Sequence, residues 1–166
     1  MEKSIKTYLK STLLIAGVVL MCISACKKDP HVSILEKDYI IIGYGNGFCA
    51  SNCEVTYLIN KDGVFRSVNY LQTKKLSSFN QKLSEEKFKQ VKDFETKIPE
   101  ELINSGKDEV TFIGCPNCAD QGSYYVEIVI KGKNPKCYFI DTITDELPDY
   151  LKKFAIDING TLGILK

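Results

Sequence analysis

A change of hydrophobic period occurs twice along the chain and restricts the folds open to it. "EVTYLINKDGVFRSVNYL" carries β-branched and aromatic residues to Asn60, turns at Asp62-Gly63, and resumes to Leu71. That is the pattern of a β-hairpin. "LSEEKFKQVKDFETKIP" then shifts to helical spacing at Leu83, Phe88, Val91 and Phe94, with Ser84 as cap, Glu85 and Glu86 in the first turn and Pro99 as the stop. "PEELINSG" predicts a further short helix ending at Gly106. The second half repeats the plan. "SYYVEIVIKGKNPKCYFID" sets Tyr124, Val126, Ile128 and Ile130 on one face and turns between Gly132 and Pro135. "DELPDYLKKFAIDINGTL" lines up Leu147, Tyr150, Leu151, Phe154 and Ile158 and is expected to stop at Gly160. With a leading strand over Tyr39 to Tyr44, this order predicts an α+β fold: an antiparallel sheet built from two hairpins, with helices packed on one face. The halves share little residue identity, so the repeated order does not establish a duplication.

The N-terminus is not part of that pattern. "MEKSIKTYLKSTLLIAGVVLMCISACKKDP" begins with Lys3, Lys6 and Lys10, continues into an apolar run from Leu13 to Met21, and reaches Ile23-Ser24-Ala25-Cys26. The run is too short to span a bilayer comfortably, where about 20 residues are needed. It has the layout of a secretory signal. "ISAC" resembles the lipobox of bacterial lipoproteins, an aliphatic residue and two small ones before cysteine. The resemblance implies cleavage before Cys26 and acylation of that residue; Cys22 follows bulky Met21 and does not fit. Two or three acyl chains, at roughly 0.8 kcal/mol per buried methylene, make a durable anchor. Residues 1–25 are thus expected to be a signal, 26–38 a lipidated cysteine and tether, and 39–166 a single domain. Lys27 rather than aspartate follows the cysteine, so the expected location is the cell envelope, at the outer membrane, with the periplasmic or surface face open.

Charge and histidine content narrow the chemistry. With 22 basic against 21 acidic residues, no cationic excess points to nucleic acid. The single histidine, His31, lies in the tether, so Ser-His-Asp triads, Cys-His pairs and His-rich metal sites lack their imidazole in the folded part. No catalytic residue, resident metal or cofactor is assigned. Gly43, Gly45 and Gly47 do not make a dinucleotide loop, because the third glycine position falls on Phe48 and no helix follows.

Beyond Cys26 the folded part carries Cys49, Cys53, Cys115, Cys118 and Cys137. Each half has a cysteine pair just before its first hairpin strand, as "GFCASNC" and "GCPNC". A thioredoxin-like dithiol at Cys115 and Cys118 would need a helix N-terminus to generate its thiolate, and "ADQGSYYVEIVI" leads into a strand instead. A four-thiolate zinc site from Cys49, Cys53, Cys115 and Cys118 has tolerable spacing but is opposed by an oxidising compartment. Structural disulfides suit an exported domain of this size, with the pairing open and Cys137 left over on the strand face of Phe139.

"CASNCEVTYLINKDGVF" resembles the opening of a family of small Bacteroidetes lipoproteins, a C-x-x-x-C loop followed by a strand and an Asp-Gly hairpin. Glu54 stands where proline is usual in that family, and the next tyrosine is displaced to Tyr57. The resemblance implies a lipid-anchored domain without an assigned activity. The expected function is a non-enzymatic binding or assembly module, held to the membrane through its lipid and meeting an envelope protein or ligand. Its expected contact surface is the loop pair around Tyr44, Asn46, Phe48, Asn117 and Gln121. The alternative is an envelope thiol–disulfide oxidoreductase using the CPNC motif. "DTI", Asp141 to Ile143, resembles the acceptor triplet for O-glycosylation in the same bacteria and marks Thr142.

Overall fold

Three consecutive isoleucines, Ile40 to Ile42, form the heart of β1 (Tyr39–Gly45) and are buried whichever face they point to. An unbroken apolar run of this kind marks a strand covered on both sides. The computed structural model describes residues 38–45, 54–105, 110–116, 118 and 121–166, all within the unit Ile34–Lys166. Cys26, Asn46, Phe48, Cys49, Cys53, Gly106 and Asn117 lie outside the described residues. No described helix is long and apolar enough to cross a membrane.

The expected α+β class is the observed one. β1 pairs antiparallel on one side with β2 (Val55–Asn60) and on the other with β6 (Ser123–Val129). β2 continues into β3 (Gly63–Ser67) through the Lys61-Asp62 turn, and the Asn60 side-chain carbonyl accepts the Asp62 N–H at 2.9 Å. β6 continues into β7 (Lys136–Asp141) as the second hairpin. The sheet is wider than two hairpins. Two-residue β4 (Gln81–Lys82) extends it beyond β3, and β5 (Thr111–Ile113) lies parallel to β7, giving the order β4-β3-β2-β1-β6-β7-β5 among the described residues. Gly43 allows β1 to run close against β2, since a β-carbon there would fall 2.6 Å from the Thr56 methyl. Close backbone packing accounts for this glycine.

One face of the sheet carries Ile40, Ile42, Tyr57, Ile59, Val126, Ile128 and Ile140 and is covered by helices. These are α2 (Glu85–Val91), the 3-10 turn Phe94–Lys97, α3 (Glu100–Ile103) and α4 (Asp149–Leu165). Burying each large aliphatic or phenyl side chain stabilises by about 1.5–3 kcal/mol relative to exposure. Ser84 caps α2 by accepting the Lys87 N–H at 3.4 Å. The expected single helix breaks at Lys92-Asp93, and Pro99 opens α3 as its N-cap besides ending the preceding turn. Nor does α4 stop at Gly160. Leu162 and Leu165 extend the buried stripe of Leu151, Phe154 and Ile158, which holds the helix through the glycine. Tyr150 does not belong to that stripe; it is exposed.

The opposite face is also covered, and here the expectation of helices on one side is incomplete. Tyr70 and Leu71 do not continue β3. They lie in α1 (Tyr70–Thr73), which with the 3-10 turn Leu76–Ser78 and Phe79 packs over Tyr39, Ile41, Leu58 and Tyr125.

Candidate functional site

At one end of the sheet, Gly45 of β1 stands opposite Ser123 of β6, and Ser123 opposite Asp141, the last residue of β7. β5 arrives beside Ile140 and turns at Gly114 into the cysteine loop. Gly114 has φ +78°, and a β-carbon on it would fall 2.7 Å from that of Asp141. Both facts favour glycine. The turn presents the Cys115 N–H to the Asp141 carboxylate at 2.9 Å.

Asp141 is almost wholly buried and is the hub of this end. It accepts the Ile143 N–H at 2.9 Å and the Gln121 side-chain amide at 3.2 Å. Burial alone would raise its pKa, but the N–H groups of Ile143 and Cys115, the Gln121 amide and the Thr142 N–H outweigh it and hold the carboxyl below its ordinary value. The Gln121 amide also donates to the Cys115 carbonyl at 3.3 Å. The Gln121 carbonyl accepts the Tyr44 hydroxyl at 2.5 Å and the Thr142 hydroxyl at 3.4 Å.

The structure therefore brings together Tyr44, Cys115, Cys118, Gln121 and Thr142, which the sequence marked for three separate reasons. Tyr44 and Gln121 tie the loops to one another. Thr142 is half-buried, and a glycan on its oxygen would remove the proton it gives to Gln121.

Cys115 and Cys118 are joined as a disulfide and both are exposed. Among the described residues the segment after Cys118 leads into β6 at Ser123, and not into a helix. The Asp141 carboxylate accepts the Cys115 N–H, and a negative neighbour disfavours a thiolate. With their sulfurs bonded together, these two cannot act as thiolate ligands. Their proposed zinc partners, Cys49 and Cys53, are outside the described residues, among which no His/Cys/Asp/Glu group could hold a metal.

One cluster was not anticipated. On the sheet face covered by α1, the buried Glu127 side chain accepts the Tyr70 hydroxyl at 2.8 Å and also the Tyr125 hydroxyl. Lys74 donates to the Tyr125 oxygen at 3.2 Å, its ammonium 4.4 Å from that ring's centroid. Cys137, half-buried, lies with its sulfur 3.7 Å from the same oxygen. Burial, then the Glu127 charge, pushes the Tyr39 hydroxyl up to about 12 and raises Tyr70, Tyr125 and Cys137. These groups stay protonated at neutral pH and act as hydrogen-bonding groups of a second core. The sequence signal was Glu127 itself, a charge inside "YYVEIVI" on the face that alternation had left to solvent.

No known protein-family model matches the chain, and neither a curated protein nor a solved structure matches it.

Proposed function

We propose that the chain is a lipid-anchored, non-enzymatic binding or assembly module of the cell envelope, attached through acylated Cys26 at the outer membrane. Its Cys115–Cys118 bond is a structural staple, and the domain presents a rigid surface to an envelope protein or ligand. The observation that carries this reading is the Asp141 hub: a buried carboxylate holds the cysteine loop by its backbone and discourages the thiolate that turnover requires. The thiol–disulfide alternative keeps one supporting observation, the exposure of both cysteines. Two measurements on membranes carrying the full chain decide between them. Radiolabelled palmitate is expected in the wild type and absent from Cys26→Ala. Insulin reduction by the pre-reduced protein is expected to stay at the uncatalysed rate. Labelling that survives in the variant removes the anchor; a thioredoxin-like rate replaces the module with an oxidoreductase.

A further inference from the structure

The opposite end of the sheet carries a cleft of about 870 Å³, where β1, β2 and β6 end beside α2, the 3-10 turn and α3. Ile40, Ile59, Ile98 and Ile128 form its buried floor, and Phe88, Ile103 and Ile130 stand half-buried around it. Those three side chains are the apolar surface that an occupant meets. Among the described residues the rim sets Lys61, Lys92 and Lys131 against Asp38, Asp93 and Glu95. Such a rim carries no net charge and selects neither an anion nor a cation. What the cleft can recognise is aliphatic and close to neutral.

The chain itself supplies such a segment at the right place. Asp38, the first described residue, lines the cleft, and its carboxylate accepts the Lys131 N–H at 2.7 Å. That bond pins the start of β1 at the mouth. Immediately before it the sequence reads "VSILEK", Val32 to Lys37. Ile34 and Leu35 are the one adjacent aliphatic pair between Cys26 and Asp38, and Glu36 with Lys37 adds no net charge. Three or four residues of extended chain reach at most about 10–14 Å, so the pair cannot travel far from the cleft. The compact unit that contains the sheet also begins at Ile34.

We infer that Ile34 and Leu35 dock into this cleft, so that its occupant is the tether of the same chain. The inference goes beyond the binding-module reading. Docking shortens the free leash to residues 27–33, holds the cleft end toward the anchor and turns the cysteine end away from it. That consequence rests on the acylated Cys26 of the proposed function; the docking itself does not. The probe is a diazirine analogue of leucine at position 35 of the full chain, irradiated in membranes and mapped by peptide mass spectrometry. Crosslinks to Phe88, Ile103 or Ile130 are expected in the monomer. Ile34→Ser, a change in the tether that leaves the sheet and helices untouched, should cut their yield by at least about half, because the burial of one aliphatic side chain is lost. Crosslinks to a second copy or to another protein reveal a different occupant and overturn the inference. So do crosslinks confined to residues outside the cleft, a yield indifferent to Ile34→Ser, or no crosslink at all. Palmitate labelling and insulin reduction test the module separately, so the docking can fail while the module stands.

Discussion

The two ends of the sheet treat buried polar groups in opposite ways. At the cysteine end, the Asp141 carboxylate gathers the Cys115 and Ile143 N–H groups and the Gln121 amide, while Gln121 collects the hydroxyls of Tyr44 and Thr142. At the opposite end, Asn60 spends its carbonyl on the hairpin turn and keeps a buried amide with no partner among the described residues. A saturated network holds loops in place, and an unmatched buried donor is a cost carried by the fold. Of the residues expected at the contact surface beside the cysteines, Tyr44 and Gln121 are hydrogen-bonded to each other, and Asn46, Phe48 and Asn117 lie outside the described residues.

The largest effect expected from breaking this contrast is at Asp141. Asp141→Ala leaves the Cys115 and Ile143 N–H groups without their acceptor and should cost about 2–4 kcal/mol, read as a fall in the denaturant midpoint at neutral pH. Asp141→Asn keeps a carbonyl acceptor and should cost less. The carboxyl titrates below its ordinary value in the folded state. Its contribution is therefore fully present above the unfolded-state pKa, about 3.9, and is lost as pH falls through the lower folded value. The acid limb of the wild-type stability curve should be steeper than that of Asp141→Ala. Superimposable limbs would mean that the carboxylate is not the hub.

How much of this was legible in the chain depends on sequence distance. The first hairpin and the Ser84 cap follow from local chemistry, Asp62-Gly63 for the turn and serine before two glutamates for the cap. β5 did not show, because "TFI" is too short for a period and its parallel partner β7 lies beyond the intervening β6. The helix end was misplaced at Gly160 because a local stop signal lost to the burial of Leu162 and Leu165. For the site, "DTI" drew attention to Thr142, while the residue that organises the cysteine end is its neighbour Asp141, whose bond to Cys115 spans 26 positions. The amide of Asn60 is visible only once the rest of the strand ends is in place.

The second test reduces the staple. Cys115 and Cys118 are 3 positions apart, so the bond constrains a short stretch of unfolded chain. It should contribute about 1–2 kcal/mol, below the roughly 3 kcal/mol of a 15-residue loop. Because Asp141 holds the same loop through the Cys115 backbone, the bond and the carboxylate are coupled. Reduction should cost more in Asp141→Ala than in wild type, by about 0.5–1 kcal/mol on the scale of neighbouring sites. Additive losses in a cycle of melting temperatures would show that the two act on separate parts of the loop.

The smallest effect is expected at the other end, and its smallness sharpens the comparison. Asn60→Ala removes the acceptor of the Asp62 N–H, a loss of about 0.5–1.5 kcal/mol for an ordinary hydrogen bond. The same substitution also removes the buried amide that has no partner, so a cost already present in the wild type disappears. Asp62 sits in an exposed turn, where water can take up its N–H. The two changes oppose each other, and the net loss should stay below about 1 kcal/mol, clearly less than at Asp141. A loss at Asn60 as large as that at Asp141 would mean that the amide is already satisfied within the fold and that the two ends are alike.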